Sequence, residues 1–161
     1  MSTTAYLLLG SNIGDRANQL KKSIEGLNNN HIIVKRQSNV YETQSWGYDD
    51  DDYLNMVVEV ETDLQPLDLL IECNIVEASL GRVRYGGGYA SRPIDIDILY
   101  YGSEIVDKPN LIVPHRLLQD RKFVLYPLCD LIPNFVHPIL NKTNKQLLDI
   151  CKDECKVKLF E

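Results

Sequence analysis

The sequence has 161 residues, of which 44% are apolar and 25% are charged, and this balance is typical of a folded protein with one proper core. We therefore expect residues 1–161 to form a single domain. The net charge of −6 argues against a nucleic-acid-binding protein, whose affinity would come from a broad basic surface. The apolar run at residues 5–9 follows no basic residue and is too short for a signal peptide or a membrane span, which favours a cytoplasmic protein without a membrane partner.

The four cysteines predict reduced thiols. They lack the Cys-x-x-Cys pairs of a zinc ribbon, and a chain of 18.4 kDa does not depend on disulfides to form a core. Cys151 and Cys155 are spaced by one helical turn, so we interpret them as buried thiols on a terminal helix, with redox or metal chemistry as the alternative.

Apolar spacing predicts a strand, a loop and a helix at the N-terminal end. Residues 5–9 are typical of a short buried strand, and the turn-rich residues 10–15 follow them. We interpret this second segment as an ordinary loop, because it contains neither the Walker nor the Gly-x-Gly-x-x-Gly phosphate-binding pattern. Apolar residues then recur on one helical face from Ala17 to Leu27, with Asp15 placed to cap the helix.

Two further strands are predicted before the middle of the chain. Residues 32–41 are rich in β-branched residues interleaved with polar ones, which indicates one half-exposed strand. Residues 53–62 alternate, which predicts a strand with Tyr53, Asn55 and Val57 on the face opposite its core residues. An aromatic ring beside a carboxamide is a plausible receptor for a flat heterocycle, although the same pair is also common on an exposed sheet face.

A loop is predicted before the second of these strands and a helix after it. The aspartate run Asp49–Asp52 could bind calcium, but it lacks the EF-hand spacing and is interpreted as part of a solvated loop. A helix is predicted from Pro66 to Leu80, since proline is tolerated in the first turn and apolar residues follow at helical spacing. The residues expected on its buried face are Leu67, Leu70, Ile71, Ile75 and Ala78.

Residues 94–98 predict a strand with two carboxylates on one face. Side chains alternate along a strand, so Asp95 and Asp97 project from the same side with Cα atoms about 6 to 7 Å apart, while the neighbouring isoleucines face a core. This spacing suits carboxylates that hold one or two divalent cations. An ordinary exposed strand face is the alternative.

A glycine-rich loop and most of the arginines surround this acidic strand. Gly86–Gly88 give the loop freedom to open and to close over a substrate, unless the segment is merely a turn. Five of the seven arginines lie between positions 82 and 121, namely Arg82, Arg84, Arg92, Arg116 and Arg121. Arginine binds phosphate oxygens in pairs, so the region suits a nucleotide phosphate chain, with a solvated basic face as the alternative. Together, the acids and the arginines favour metal-assisted phosphoryl transfer.

The last third of the chain is predicted to be more irregular. We expect a short strand at residues 105–106, an extended run at 111–115, a short helix around 147–151 and a last strand near 157–159. His115, close to two arginines, is a candidate phosphate ligand, with a surface or capping histidine as the alternative.

Several motifs resemble those of one enzyme family. They are Tyr6–Asn12, Asp52–Met56, Gly81–Arg84, Ser91–Ile98, Val113–His115 and Arg121–Leu128. In combination they resemble the 6-hydroxymethyl-7,8-dihydropterin pyrophosphokinase family over nearly the whole chain. The resemblance implies an α+β fold, with a ferredoxin-like antiparallel sheet and helices packed on its faces. It also implies an enzyme of folate biosynthesis that transfers pyrophosphate from ATP to the pterin hydroxyl, giving AMP and the pterin diphosphate.

The same resemblance implies roles for individual residues. Asp95 and Asp97 correspond to ligands of two Mg²⁺ ions, and they act with Arg82 and Arg92 as the catalytic residues. The residues that correspond to the ATP site are Glu77, Arg82, Arg84, Arg92, Ile98, Leu111, Ile112, His115, Arg116 and Arg121. Those that correspond to the pterin site are Thr43, Trp46, Tyr53, Asn55, Tyr89, Asp95 and Phe123. ATP and the pterin are the expected partners of a protein that we expect to be a monomer.

The chain departs from the family pattern at Tyr89, Ser91, Pro93 and Arg116, and these departures bear on loop closure more than on the acidic pair. Two other functions stay open. A noncatalytic nucleotide or pterin binding module would be indifferent to the loss of Asp97, whereas a metal-dependent phosphohydrolase would release inorganic phosphate without an acceptor.

Overall fold

The computed structural model describes residues 2–44, 52–81 and 94–160. Outside these ranges lie the glycine-rich loop, most of the aspartate run and five predicted site residues, Trp46, Arg82, Arg84, Tyr89 and Arg92. Among the described residues, none of the helices is long and apolar enough to cross a membrane.

An antiparallel sheet forms the centre of the structure. The strands are β1 (Thr3–Ser11), β2 (Ile32–Gln37), β3 (Tyr41–Thr43), β4 (Tyr53–Thr62), β5 (Asp95–Tyr101), β6 (Val106–Lys108), β7 (Leu111–Val113) and β8 (Val157–Leu159). Within the described ranges, the order across the main sheet is β5-β1-β4-β3-β8, and β6 and β7 form a separate ribbon. β3 pairs with the first residues of β4, and β2 pairs with the rest of that strand.

Helices cover both faces of the sheet. They are α1 (Arg16–Leu27), α2 (Pro66–Ser79), α3 (Lys122–Leu131) and α4 (Asn144–Ile150). α1 and α2 share one apolar core with the sheet, and α3 and α4 share a second core on the opposite face. Leu7 and Leu8 of β1 belong to different cores, as the two-residue repeat of a strand requires. This arrangement confirms the α+β fold with an antiparallel sheet that the sequence led us to expect.

The strand predicted over residues 32–41 is divided in two. At Ser38, between β2 and β3, the main-chain N–H donates to the carbonyl of Val57, while the side-chain Oγ accepts a hydrogen bond from the Val57 N–H at 2.9 Å. The hydroxyl therefore takes the place of a main-chain acceptor and interrupts the ladder. A bulge between Val34 and Arg36 adds to the irregularity.

The predicted buried face of the helix after Pro66 was wrong in part. Ile71 and Ile75 are 54% and 55% exposed, whereas Leu69, Cys73 and Val76 are buried against the sheet. Apolar residues lie on every side of α2, so two stripes of helical spacing compete, and the sequence does not say which one meets the sheet.

The C-terminal cysteines do not lie on a helix, which corrects our interpretation of them. α4 ends at Ile150, and Cys151 and Cys155 lie in the irregular segment that follows, where both are half-buried. All four cysteines are free thiols. The spacing of one helical turn was therefore coincidental, because Cys151 at the C-cap has already left helical geometry.

Candidate active site

One row of paired residues crosses the sheet next to the acidic strand. Gly10 of β1 is paired with Asn55 of β4 on one side and with Asp95 of β5 on the other. A Cβ atom at Gly10 would lie 2.7 Å from Nδ2 of Asn55, so the lack of a side chain lets this amide approach β1. Nδ2 of Asn55 lies 3.4 Å from the carbonyl oxygen of Leu9. The glycine therefore places a hydrogen-bonding amide in the row that ends at a carboxylate.

The two carboxylates of β5 lie on one face, as predicted. Asp95 and Asp97 are partly exposed, while Ile94, Ile96 and Ile98 are buried in the core shared with α1 and α2. The acids therefore belong to the face that α3 and α4 cover further along the sheet. The predicted alternation is confirmed, and the stretch of that face beside Gly10 carries polar groups.

A hydrogen bond of Glu77 connects α2 to β5. Its residue is 3% exposed, and Oε2 accepts a hydrogen bond from the main-chain N–H of Ile96 at 2.9 Å. Ile96 lies between Asp95 and Asp97, so a buried hydrogen bond holds the backbone at the midpoint of the acidic pair. The predicted contact of Glu77 with ATP stays a prediction.

A cavity of about 500 Å³ lies beside Asp97. Its described lining comes from α2, β5, β7 and the chain around β7, and consists of Leu70, Ile96, Asp97, Ile98, Pro109, Asn110, Leu111, Ile112, His115, Arg116 and Leu117. Five of the residues predicted for ATP are thus brought together, although they come from two separate stretches of sequence. Leu70, Pro109, Asn110 and Leu117 were not predicted as site residues, because their sequence context is that of ordinary helix and turn positions.

His115 is held in a defined orientation at this cavity. Its main-chain N–H donates to the carbonyl of Leu99 at 3.1 Å, and its Nδ1 accepts from the N–H of Leu117 at 3.2 Å. Burial lowers the pKa of His115, opposed by the negative charge of Asp95 and assisted by Arg116. An accepting Nδ1 carries no proton, so the neutral ring has its proton on Nε2 and can donate there.

The residues that the sequence predicts to contact the pterin, where the structure describes them, lie on the same face of the sheet as Asp95. Thr43 is paired with Tyr53, and Asn55 follows two residues later on β4. Phe123, in the first turn of α3, packs against the core on this face. The Oγ1 atom of Thr43 is buried and has no hydrogen-bond partner among the described residues. A buried hydroxyl left without a partner costs about 1–3 kcal/mol, which a polar ligand would recover.

Behind this region, on the opposite face, an arginine joins two strands. The Nη1 atom of Arg16, the first residue of α1, donates to Oε2 of Glu42 at 2.7 Å and to the carbonyl of Asp52 at 2.6 Å. The hydrogen bond from Arg16 lowers the pKa of Glu42. Sequence reasoning missed this contact, because the partners lie 26 and 36 positions from Arg16.

Solved structures share the fold. A crystal structure of an HPPK-DHPS in complex with substrates has a TM-score of 0.72 and 15% identity, covering 92% of this chain and 43% of that chain. Plasmodium falciparum HPPK-DHPS with pteroate gives a TM-score of 0.74 and 18% identity, covering 92% and 42%. The chain thus spans less than half of these longer proteins, and at such identities the likeness concerns the fold alone.

Closer relatives are found by sequence. Three are named 2-amino-4-hydroxy-6-hydroxymethyldihydropteridine pyrophosphokinase. The protein of Aquifex aeolicus is 41% identical over 145 residues, covering 89% of each chain. That of Methylorubrum extorquens is 44% identical over 136 residues, covering 83% of this chain and 85% of the relative. That of Haemophilus influenzae is 38% identical over 153 residues, covering 91% and 94%.

The fold and these relatives define the class of protein as a pyrophosphokinase, an enzyme. Residues 6–133 match the family described as 7,8-dihydro-6-hydroxymethylpterin-pyrophosphokinase, and the chain belongs to this family. The family activity is pyrophosphoryl transfer to hydroxymethyldihydropterin in folate biosynthesis. The family, fold and activity implied by the sequence resemblance are thereby confirmed.

Proposed function

We propose that this chain transfers the pyrophosphoryl group of ATP to the hydroxyl of 6-hydroxymethyl-7,8-dihydropterin, releasing AMP, at a site centred on Asp95 and Asp97. The observation that carries the proposal is the position of this carboxylate pair between two different environments. On one side is the cavity lined by His115 and Arg116, and on the other is the row that leads to Asn55. The pair therefore lies where two substrates could meet.

The carboxylates fit magnesium that arrives with a nucleotide. The described residues contain no group of three or more His, Cys, Asp or Glu side chains that could hold a metal by themselves. Mg²⁺ in such enzymes is held by one or two carboxylates, with substrate phosphates and water as further ligands, so Asp95 and Asp97 are a suitable set for two ions. The bound metal would supply neutralisation of phosphate charge and a lower pKa of the attacking hydroxyl.

The cavity suits the nucleotide. Leu70, Ile98, Leu111 and Ile112 give it an apolar lining that can pack against adenine. Neutral His115 presents an Nε2–H donor for a phosphate oxygen. Four arginines are proposed to contact the phosphates, Arg116 and Arg121 among the described residues and Arg82 and Arg92 outside them. Glu77 and Arg84 complete the proposed ATP residues.

The face around Asn55 suits the pterin. The Asn55 amide and the Oγ1 of Thr43, which has no partner within residues 2–44, 52–81 and 94–160, offer hydrogen bonds to the polar edge of a flat ring, and Phe123 and Tyr53 offer aromatic surface. Trp46 and Tyr89, which lie outside the described residues, are proposed as further pterin contacts. We also propose a single-domain monomer in the cytoplasm for residues 1–161.

The decisive experiment follows product formation from ATP and the pterin with and without Mg²⁺. We expect AMP and the pterin diphosphate in equal amounts, and no turnover once Mg²⁺ is chelated. Asp95→Ala is expected to lower kcat by about 10³-fold, because metal-assisted charge stabilisation supplies several kcal/mol. Asp63→Ala, an exposed acid beyond the other end of β4, serves as the matched control and should leave kcat unchanged.

Other outcomes identify other functions. Formation of ADP in place of AMP would contradict pyrophosphoryl transfer. Release of inorganic phosphate without the pterin would favour a phosphohydrolase. Tight binding of ATP without any product, unaffected by Asp97→Ala, would favour a noncatalytic binding module.

A further inference from the structure

The C-terminal segment Cys151–Phe160, which we call the C-terminal strap, contacts both walls of the proposed pterin site. It lies beyond residue 133, where the match to the family ends. β8 of the strap pairs with β3, placing Val157 opposite Thr43, and the Sγ of Cys155 lies 3.6 Å from the carbonyl oxygen of Gln44. Earlier in the strap, Oδ2 of Asp153 accepts a hydrogen bond from the main-chain N–H of Lys122 at 3.1 Å.

That hydrogen bond supplies what α3 lacks. The first N–H groups of a helix have no partner within the helix and are usually bound by a side chain at the N-cap. Arg121 occupies the N-cap of α3 and makes no side-chain capping hydrogen bond. Asp153 supplies the missing acceptor from a segment 31 residues away, and its negative charge is favourable at the positive end of the helix.

The carboxylate of Asp153 is itself held in place. Its Oδ1 accepts from the main-chain N–H of Cys155 at 3.0 Å, so one oxygen is bound to the strap while the other binds α3. Two residues later the strap enters β8 and becomes part of the sheet beside β3. The strap thereby joins the start of α3 to the strand that carries Thr43.

We propose that Asp153 is a positioning residue of the pterin site, which holds the first turn of α3, and with it Phe123, at a set distance from β3. Asp153 acts through the main chain of Lys122, whose neighbour in sequence is Phe123. The inference rests on the proposed function, because it takes Phe123 and Thr43 as walls of the pterin site. It adds a residue outside the part of the chain that matches the family.

The test compares Asp153→Ala with Asp153→Asn, which keeps one of the two acceptor oxygens and replaces the other by an NH2 group that cannot accept. Thr143→Ala is the matched control, because Thr143 caps α4 on the same face of the sheet and its Oγ1 accepts from the N–H of Gln146. Each full-length variant is assayed for the KM of the pterin, the KM of ATP and Tm. Hydrogen exchange at the first turn of α3 is measured in parallel.

We expect Asp153→Ala to raise the pterin KM on the order of tenfold, since small displacements of a binding group are costly, and to raise the ATP KM less, because Arg121 beside the held N–H is one of several proposed phosphate contacts. Exchange at the start of α3 should become faster, and Asp153→Asn, which can keep only one of the two hydrogen bonds, should lie between Asp153→Ala and the unaltered protein in both properties. Thr143→Ala should lower Tm without changing either KM.

Three results would overturn the proposal: an unchanged pterin KM in Asp153→Ala, an equal rise of both KM values, or the same pterin effect in Thr143→Ala. A Phe123→Ala variant separates this inference from the proposed function. If Phe123→Ala raises the pterin KM and Asp153→Ala does not, the positioning role is wrong and the pterin site stands. If Phe123→Ala has no effect, the pterin site itself is wrong.

Discussion

The face of the sheet that carries Asp95 has two ends, which differ in how far their polar side chains are hydrogen-bonded to other parts of the protein. At the far end, defined by Tyr6, Arg36 and Glu59, the Tyr6 hydroxyl donates to Glu59 at 2.6 Å and Arg36 donates to both oxygens of the same carboxylate. At the site end, defined by the row from Asn55 to Asp95 with Thr43 beside it, the Thr43 hydroxyl has no hydrogen-bond partner in the described part of the chain, and Nδ2 of Asn55 lies 3.4 Å from the carbonyl oxygen of Leu9. Polar groups that bind one another stabilise the fold, whereas spare hydrogen-bonding capacity is what a ligand needs.

We expect the largest difference between the two ends when one carboxylate at each end is replaced by a neutral amide. Asp97→Asn should lower kcat by about 10³-fold or more, because a neutral amide binds a metal ion more weakly than a carboxylate does. Glu59→Gln should leave kcat unchanged and lower the free energy of unfolding by about 1 kcal/mol, because its hydrogen bonds lose their ionic character. Steady-state AMP formation and urea denaturation measure the two quantities. A fall of kcat in Glu59→Gln would break the comparison.

A methyl group at Gly10 tests the site end more gently. Gly10→Ala places a Cβ 2.7 Å from Nδ2 of Asn55 and must displace the amide. We expect the pterin KM to rise about tenfold, equivalent to the loss of one hydrogen bond, with the ATP KM unchanged. Gly26→Ala in α1 is the matched control, since its Cβ would meet the side chain of Val76 at 3.2 Å, remote from the row. A higher pterin KM in that variant as well would point to a general disturbance of the fold.

Two arginine–glutamate pairs extend the comparison to the free energy of unfolding. Arg16 and Glu42 lie behind the site end, on the opposite face of the sheet, and Arg36 and Glu59 lie at the far end. The Arg16 side chain is 21% exposed and binds both Glu42 and a main-chain carbonyl, whereas the Arg36 side chain is 48% exposed. Arg16→Gln should cost about 2 kcal/mol of unfolding free energy, because charged hydrogen bonds in a partly buried place are lost. Arg36→Gln should cost less than about 1 kcal/mol, as exposed ion pairs do. Urea denaturation of both variants measures the difference, and equal losses would contradict it.

The smallest expected effect is a dependence of stability on pH. Nδ1 of His137 accepts from the N–H groups of Ile139 and Leu140, and burial lowers the pKa of His137 below its ordinary 6.5, as it does for His115. As the pH falls through 6.5, the histidine of the unfolded chain therefore takes up a proton before that of the folded chain. The contribution of neutral His137 to the free energy of unfolding is fully present above that pH and is lost below it. His137→Asn keeps an acceptor oxygen and should reduce the loss between neutral pH and about pH 5.5. An unchanged pH profile would assign the dependence to other groups.

Local patterning was sufficient where the relevant information lies in consecutive residues. The strand predicted at residues 53–62 has these bounds in the structure, and the alternation of Asp95 and Asp97 with isoleucine places the acids as predicted. When only every second residue of a strand is apolar, only one face of that strand can be buried in a core, so the sequence determines which face it is. The helix α2 offers apolar residues on all sides, so the same reasoning chose the wrong stripe with Ile71 and Ile75.

Long-range contacts had no such signal. Asp153 meets Lys122 and Glu77 meets Ile96 because the chain folds back, and nothing near either acid in the sequence marks its partner. Gly10 did carry a signal, since a glycine at the end of an apolar strand often marks a close approach of another group. We assigned Gly10 to a loop, whereas it lies within β1 and under the Asn55 amide.

The hydrogen bond from Ile96 to Glu77 also affects how the edge of the sheet can interact with other protein chains. β5 ends the order of the main sheet in the described part of the chain, and a strand in that position offers bare N–H and C=O groups to which another chain can add. Glu77 occupies one of these N–H groups from a helix, at the midpoint between the two acids. Glu77 thus makes one position of the β5 edge unavailable for strand addition, and it does so without a further strand, which would cover the cavity next to Asp97.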